Sequence, residues 1–278
     1  MSRKLTLGYS PCPNDTFIFY ALTHGKLPLQ PFTVRERLED VETLNQLALS
    51  GTLELTKISY HALGHLRDRY VLLRSGGALG RGCGPLVVST QQTDMAALRG
   101  KTIAIPGQLT TANLLLQLYA EGYENLLILP FDQIMPTLRA GDAQAGVIIH
   151  ESRFTYQNEG FHEILDLGAW WEEETGLPIP LGGILARRDL GDELIANVEA
   201  VIRTSLDYAW EHPEEPRGYI RCHAQELDDA VTDSHINLYV NEFSRDLGAE
   251  GITAVETLLA KAEERGIIPS CDQDLFVS

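Results

Sequence analysis

The sequence predicts a two-lobed α/β protein with mainly parallel sheets and a ligand cleft between the lobes. Its 278 residues suit about two domains. Short apolar runs alternate with segments of helical periodicity, as in the βαβ units that build a parallel sheet. The alternation begins again at Lys101. A second α/β unit therefore follows the first one along the chain.

The elements of the first unit follow from its apolar runs and helix caps. We expect a first strand over residues 5–9, then a helix that is capped by Asp15 and ends near His24. A second helix is expected between Asp40 and Gly51, since Asp is a preferred N-cap and Gly a common helix stop. Apolar runs predict further strands at residues 53–58, 70–74 and 85–89.

The second unit repeats this organisation. Strands are predicted at residues 102–105, 126–129 and 145–149, with helices at residues 111–121 and 132–140 between them. Residues 49–59 and 139–149 each contain a helix end, a glycine and a strand that runs into polar residues. Such internal similarity indicates equivalent positions in two structural units. Ser59 and His150 are therefore expected at matching places in the two lobes.

The chain is expected to return to the first lobe after residue 176. The segment Leu-Pro-Ile-Pro-Leu-Gly-Gly is stiffened there by two prolines and suits a crossing strand. Helices that should cover the first lobe are predicted near residues 192–208, 213–223, 229–243 and 249–265. We predict a discontinuous larger lobe of residues 1–90 and 178–278, a smaller lobe of residues 91–177, and a cleft between them.

The composition restricts the partners of the protein. A net charge of −17, with no basic run, opposes binding to nucleic acid or to an anionic membrane. The expected partner is a small anionic substrate, held by local backbone N–H groups and a few cations. The sequence shows no signal peptide, no membrane span and no disulfide pattern among its four cysteines, so we expect a cytoplasmic protein. The oligomeric state stays open, a homodimer included.

Two loops of the first lobe contain candidate ligand contacts. Ligands of open α/β sheets bind beyond the C-terminal ends of the strands, where loops converge. Ser10 and Asn14 follow the first strand, and Lys57 and Ser59 end a later one. A plain helix-capping turn explains the first of these loops equally well. Cys12 could lie within reach of the cleft, although a small residue in a tight turn is the better interpretation.

The loop at residues 106–112 is the best candidate anion site in the chain. Gly107 permits close backbone approach, and Thr110, Thr111 and Ala112 open a helix whose first N–H groups lack partners within the helix. The hydroxyls of Thr110 and Thr111 are further hydrogen-bond donors. A helix cap is the structural alternative, and we favour a carboxylate site because the neighbouring loops point to the same cleft.

His150 is the candidate catalytic residue. It follows the apolar run at 145–149, where an imidazole can titrate near neutrality and act as a general base. A lone histidine at a strand end is more often a structural residue. The neighbouring anion site supports the general base enough that we weigh the two interpretations equally. Glu151 would point to the opposite face if the strand continued, so adjacency does not make it the partner of His150.

Two further motifs are weak evidence for a ligand. His61 and His65 are four residues apart on a predicted helix, but no third metal ligand is near them in the sequence, so we expect no metal. The glycine-rich stretch 75–85 lacks the helix that a nucleotide-binding loop requires. We interpret it as a flexible turn at the cleft edge, and Arg74 or Arg81 is a candidate ligand contact there.

Aromatic and acidic clusters have simpler explanations. Trp170 and Trp171 could form a cleft lid, but packing is the favoured interpretation. The acidic residues between 211 and 215 are a solvated face.

Five blocks of sequence resemble one known family, the 1,4-dihydroxy-6-naphthoate synthases of the futalosine route to menaquinone. The blocks are Ser-Pro-Cys-Pro-Asn-Asp-Thr-Phe-Ile-Phe-Tyr at 10–20, Leu-Glu-Asp-Val-Glu-Thr-Leu-Asn at 38–45, Arg-Ser-Gly-Gly-Ala-Leu-Gly at 74–80, Ile-Ile-His-Glu-Ser-Arg-Phe-Thr-Tyr at 148–156 and Leu-Gly-Ala-Trp-Trp-Glu at 167–172. Their order and length make the resemblance specific, and it extends diffusely through the C-terminal helices.

The resemblance implies a two-lobed, periplasmic-binding-protein-like fold of type II, kept in the cytoplasm. It implies a lyase that converts cyclic dehypoxanthinyl futalosine to 1,4-dihydroxy-6-naphthoate without cofactor or metal. It also implies that His150 is the base and that Ser59, Thr110 and Thr111 contact the substrate. Two alternatives remain: a non-catalytic solute-binding protein for a small carboxylate, and a chorismate dehydratase on the same fold, which the block at 148–156 disfavours.

Overall fold

A computed structural model describes residues 3–29, 31–224 and 228–277, which form two sheets flanked by helices. The first sheet contains β1 (Arg3–Tyr9), β2 (Phe32–Leu38), β3 (Leu55–Ser59), β4 (Tyr70–Leu72), β5 (Ala78–Gly80) and β11 (Ile179–Arg187). The second contains β6 (Leu86–Ser89), β7 (Ile103–Ile105), β8 (Leu126–Ile128), β9 (Ala145–Ile148) and β10 (His162–Asp166).

The helices flank these sheets on both sides. Those that accompany the strands are α1 (Pro13–Thr23), α2 (Val41–Leu49), α3 (Tyr60–Gly64), α4 (Thr111–Tyr119), α5 (Ile134–Ala140), α6 (Ser152–Thr155) and α7 (Leu167–Thr175). The C-terminal part adds α8 (Asp192–Glu211), α9 (Arg217–His223), α10 (Asp229–Tyr239), α11 (Glu242–Arg245) and α12 (Gly248–Glu264). Among the helices of the described ranges, none is long and apolar enough to cross a membrane.

The two sheets share one strand order. The first runs β2-β1-β3-β11-β4 and the second runs β8-β7-β9-β6-β10. In each, the first three strands are parallel and the fourth is antiparallel to the third. The repeat expected from residues 49–59 and 139–149 is therefore confirmed, because β3 and β9 occupy the same position in their sheets. Each sheet is mixed rather than uniformly parallel.

The strand at Leu86–Ser89 belongs to the second sheet, which corrects its placement in the larger lobe. Val87 pairs with Val147 on β9, and Leu86 pairs with Asp166 on β10. The chain therefore changes sheet between β5 and β6. Gly84 allows this crossing, since a Cβ on it would lie 2.3 Å from the Cα of Gly168. The rest of the predicted division, with residues 178–278 in the larger lobe and residues 91–177 in the smaller one, stays a prediction.

The first helix begins earlier than Asp15 predicts. Cys12 occupies the N-cap position and Pro13 opens α1, as suits a residue with a fixed φ and no N–H. The Asp15 carboxylate makes no cap and turns toward Ser10 and Lys57 instead. At α2 the expectation is confirmed, because the Asp40 side chain accepts hydrogen bonds from the N–H groups of Glu42 and Thr43.

The sequence analysis did not predict three of the strands. β2 and β10 form edges of their sheets, and their residues are mostly half-buried or exposed, so neither has a long apolar run. β5 lies inside the glycine-rich stretch that we expected to be a flexible turn. It pairs with the crossing strand β11, where Ala78 lies opposite Gly182. The central part of this stretch, Ala78–Gly80, is therefore fixed by the sheet.

The C-terminal helices cover the first sheet, as predicted. α8, α9 and α10 contact α1, and α12 packs on α3 and β11. A hydrophobic core of β1, α1 and α8 lies under them and includes Leu7, Phe19 and Ile202, all fully buried. Ser205 on α8 anchors this contact through a 2.7 Å hydrogen bond to the carbonyl of Ile18.

Trp171 is a packing residue. Its side chain has no exposed surface, and its indole N–H donates to the carbonyl of Pro178 at 3.1 Å. Trp170 meets the ring of Tyr119 edge to face at 5.5 Å. These contacts join α7 to α4 and to the start of β11, so the packing interpretation is confirmed.

Replacing Trp171 with alanine should lower the free energy of unfolding by about 3–5 kcal/mol, because a large buried side chain leaves a cavity. Trp210→Ala is the matched control, since Trp210 is 36% exposed and should change the stability by less than about 1 kcal/mol. Urea unfolding monitored by circular dichroism measures both. Equal losses for the two variants would contradict the packing role of Trp171.

Candidate functional site

A cleft lies beyond the C-terminal ends of β1, β3, β7 and β9. It contains about 720 Å³ of empty space, including its open mouth. Eight of the nine predicted site residues line it, and they are Ser10, Asn14, Lys57, Ser59, Thr110, Thr111, Ala112 and His150. The structure therefore brings together loops from both sheets, and their role in binding stays a prediction.

A buried ion pair forms the floor of this cleft. Lys57 Nζ pairs with Asp15 Oδ1, and both side chains are almost fully buried. The Asp15 carboxylate also accepts hydrogen bonds from the Ser10 hydroxyl at 2.8 Å and from the Asn14 amide at 2.9 Å. Lys57 is thus neutralised by the protein and supplies no free positive charge to a ligand. Lys57 lines the cleft and supports Ser10 and Asn14 through the Asp15 carboxylate, and its contact with a ligand stays a prediction.

Ser59 is positioned by Asn45 of α2. The Asn45 amide oxygen accepts from the Ser59 N–H at 3.0 Å, and its amide nitrogen donates to Ser59 Oγ at 3.3 Å. Asn45 is fully buried, so its orientation is fixed. The Ser59 hydroxyl is therefore held at the cleft wall, and within the described ranges its own proton has no acceptor, so it can be donated to a ligand.

The hydroxyls of the anion loop serve the protein frame. Thr110 Oγ1 donates to the carbonyl of Gly107 at 2.8 Å and caps α4 by accepting from the Asn113 N–H. Thr111 Oγ1 accepts from the Tyr60 N–H at 2.9 Å and donates to the carbonyl of Leu181 at 2.6 Å. Both hydroxyl protons are thus donated to protein carbonyls, and a contact of these two side chains with a ligand stays a prediction.

The backbone of α4 remains as the donor group for an anion. The first N–H groups of a helix have no partner within it, and the helix dipole favours negative charge there. Thr111 and Ala112 are the first two residues of α4, and both line the cleft. Their N–H groups form a site that suits a carboxylate.

Gly107 does not line the cleft, which corrects its predicted role. Its φ is +157°, and a Cβ there would lie 2.5 Å from Oε2 of Glu42 on α2. The same oxygen accepts the N–H of Leu109 at 3.1 Å. Gly107 therefore lets the anion loop approach the opposite lobe rather than a ligand. Glu42, which the sequence analysis missed, joins the two lobes.

His150 has a strained backbone. Its φ is +57°, and no other non-glycine residue in the described ranges has a positive φ. Such a conformation costs on the order of 1–3 kcal/mol and is common at functional sites. The ring meets that of Phe131 edge to face at 5.0 Å. Burial lowers the pKa of His150, an effect that the nearby Glu151 partly opposes. The imidazole is therefore neutral near pH 7.

Cys12 and Glu151 surround the inner side of His150. Cys12 Sγ lies 3.5 Å from His150 Nδ1, and burial raises the pKa of its thiol. Strand β9 ends at Ile148, so Glu151 does not continue its alternation and comes within 4.8 Å of both residues. This trio is the group in the described part of the chain that could hold a metal ion. The sequence analysis did not predict this group. It considered only that Cys12 could lie within reach of the cleft.

His235 and Tyr239 of α10 also line the cleft and were missed. Together with Thr232 they are the buried residues of this helix, at the spacing of one helical face. Their rings are 4.6 Å apart, and the His235 ring lies 6.3 Å from that of His150. The histidine on a buried helix face was the available signal, but the sequence does not show what that face covers.

The optional arginine contacts were wrong. Arg81 donates to Glu250 at 2.8 Å and to the carbonyl of Gly176 at 3.0 Å, while the Arg74 guanidinium lies 5.2 Å from the ring of Phe276. Neither is among the described residues that line the cleft. Both guanidinium groups therefore contact other parts of the protein.

Comparison with known proteins identifies relatives along the whole chain. The model of a family described as menaquinone biosynthesis matches residues 5–264. A 1,4-dihydroxy-6-naphthoate synthase of Thermus thermophilus is 55% identical over 275 residues, which are 99% of this chain and 100% of the relative. A second one, from Streptomyces coelicolor, is 47% identical over 275 residues, 97% of this chain and 96% of the relative.

Solved structures are similar to the whole fold. A crystal structure of an Archaeoglobus fulgidus protein matches with a TM-score of 0.90 and 37% identity, over 95% of this chain and 98% of that one. The periplasmic aliphatic sulphonate-binding protein of Escherichia coli matches with a TM-score of 0.66 and 13% identity, over 99% of this chain and 91% of that one. This second likeness concerns the fold alone. The predicted periplasmic-binding-protein-like fold is confirmed.

Removing one partner of the Asp15–Lys57 pair should lower the free energy of unfolding by about 3–5 kcal/mol, because the remaining charge is buried without compensation. Asp15→Asn and Lys57→Met are the single variants. In the double variant, the loss should be smaller than the sum of the single losses, because no charge is stranded. Chemical denaturation measures the full cycle. Additive losses would show that the two charges do not interact.

Proposed function

Because the chain belongs to the menaquinone biosynthesis family, we propose that it converts cyclic dehypoxanthinyl futalosine to 1,4-dihydroxy-6-naphthoate. Its curated relatives over the full length are named as 1,4-dihydroxy-6-naphthoate synthases, so the chain is an enzyme of menaquinone biosynthesis. The observation that supports this proposal best is the strained backbone of His150 in the same cleft as an anion site.

The anion site gives the substrate its orientation. We assign its carboxylate to the backbone N–H groups of Thr111 and Ala112, with the Ser59 hydroxyl as a further donor. No lysine or arginine among the described residues that line the cleft is free of an ion pair, since Lys57 is bound by Asp15. The carboxylate is thus recognised by dipoles with fixed direction, which place the rest of the molecule relative to His150.

His150 acts as the general base in this proposal. Its neutral imidazole removes a carbon-bound proton, which passes to the ring nitrogen that faces the cleft, and the loss of this proton leads to fragmentation and aromatisation. Buried surroundings favour the neutral starting form of the base. Exclusion of water by the surrounding loops strengthens the contacts of the carboxylate.

Cys12 orients the base. Its sulfur can accept a hydrogen bond from Nδ1–H of His150, the ring nitrogen that lies 3.5 Å away. That tautomer leaves Nε2 with a free lone pair, as a base requires. Because burial raises the pKa of Cys12, the thiol keeps its proton and does not compete for the one from the substrate.

Replacing His150 with asparagine should lower kcat by roughly 100-fold or more while the protein still folds and binds the substrate. His212→Asn is the control, because His212 is exposed at the end of α8 and should leave turnover unchanged. The absorbance of the naphthoate product measures turnover, and calorimetry measures binding. A value of kcat within a few-fold of that of the unchanged enzyme would remove His150 from the mechanism.

The same assay separates the proposal from its rivals. A solute-binding protein would bind a small carboxylate without any turnover and would tolerate His150→Asn. A chorismate dehydratase would consume chorismate and leave cyclic dehypoxanthinyl futalosine unchanged. Formation of the naphthoate chromophore from the cyclic substrate alone is the result that we expect.

The pH profile should also reflect His150. Protonation inactivates a base, so kcat/KM should rise with pH and level off. Burial lowers the pKa of His150, so the midpoint of this rise should lie below about pH 6.5, the ordinary value of histidine. Steady-state kinetics between pH 4.5 and 8 at roughly half-unit steps would locate it. A midpoint above neutrality would be incompatible with an imidazole whose pKa is lowered by its surroundings.

A further inference from the structure

His235 is a fully buried histidine in the cleft wall whose two ring nitrogens have no hydrogen-bond partner among the described residues. It lies in the middle of α10, so its position is fixed by a helix rather than by a loop. The rings around it are those of His150, Phe154 and Tyr239, at centroid distances of 6.3, 6.3 and 4.6 Å. The side chain thus faces the cleft without satisfying its polar atoms.

Such a residue is costly to the free protein. Each buried donor or acceptor without a partner lowers stability, and native proteins leave few of them. Phenylalanine would fill the same space among aromatic rings without this cost. The imidazole at position 235 is therefore better explained by a group that is present only when a ligand is bound.

We propose that His235 is a specificity-determining residue that hydrogen-bonds an uncharged hydroxyl or carbonyl oxygen of the bound substrate. This inference rests on the proposed function and deepens it. The anion site at Thr111 and Ala112 fixes one end of the substrate, and His235 recognises a second polar group on the side of His150 that α10 covers. Together, these two contacts define the position of the reacting carbon relative to His150.

The charge state of His235 selects the kind of group that it binds. Burial lowers the pKa of His235 well below its ordinary value, and the neighbouring His150 and Lys57 act in the same direction. A neutral imidazole offers one donor and one acceptor, which suits an uncharged oxygen and gives no attraction to a second carboxylate. When His150 takes up a proton, its charge opposes protonation of His235 further. His235 therefore binds an oxygen of the substrate and does not share the proton that His150 takes up.

His235→Phe should raise KM for cyclic dehypoxanthinyl futalosine by roughly 10-fold or more, because the oxygen of the bound substrate loses its partner. The midpoint of thermal unfolding of the free variant should stay equal or increase, since two unsatisfied atoms are removed. His235→Gln keeps a donor and an acceptor and should keep KM within a few-fold. A residue with a structural role alone would not produce this opposite effect on stability and KM.

Thr232→Val is the matched control on the same helix face, because Thr232 is buried but does not line the cleft. It should leave KM unchanged. Steady-state kinetics give KM and kcat separately, and thermal unfolding with and without 1,4-dihydroxy-6-naphthoate gives the stabilisation by a bound ligand.

The outcomes separate this inference from the function on which it rests. If the unchanged enzyme forms naphthoate but His235→Phe keeps its KM within about twofold, the role of His235 is refuted while the proposed function stands. Loss of stability in both His235→Phe and His235→Gln without a change in KM also overturns it. If the unchanged enzyme does not act on the cyclic substrate, the proposed function fails, and the inference fails with it.

Discussion

The buried ion pair between Asp15 and Lys57 is the interaction on which the cleft depends. Asp15 belongs to α1 and Lys57 to β3, so the pair joins the first turn of the first helix to the third strand. Ser10 and Asn14 take their orientation from the same carboxylate. Two buried charges are tolerated only when each is compensated, and this requirement fixes the distance between α1 and β3. The cleft floor is therefore rigid before any ligand arrives.

The second constraint is the contact between lobes. Glu42 accepts the N–H of Leu109, and Thr111 bonds to both Tyr60 and the carbonyl of Leu181. These bonds join the anion loop to the first sheet and the crossing strand. They also explain why polar side chains that line the cleft need not touch a ligand, since their hydroxyls already have partners in the protein. What the loop offers to a ligand is the start of α4, which the bonds aim into the cleft.

Hydrophobic periodicity predicted the two-unit fold, and strand ends predicted which loops meet, because parallel strands place their C-terminal ends together. Hydrophobic periodicity did not predict the edge strands β2 and β10, because their partly exposed residues lack an apolar pattern. Contacts between distant positions were also out of reach. Lys57 follows Asp15 by 42 positions, and His235 lies on a helix that resembles any covering helix in sequence. Gly107 was predicted to contact the ligand because of the loop that contains it, but in the structure it makes room for Glu42 of the opposite lobe.

One physical condition, removal of water from the cleft, serves both halves of the proposed chemistry. The net charge of −17 repels an anion at long range, and Lys57 is neutralised, so attraction must come from the N–H groups at the start of α4. Such dipoles act strongly only at short range and low dielectric constant. The same low dielectric constant lowers the pKa of His150 and keeps the base neutral. A more open, wetter cleft would weaken carboxylate binding and raise the proton affinity of the base together, so substrate recognition and proton removal depend on the same burial.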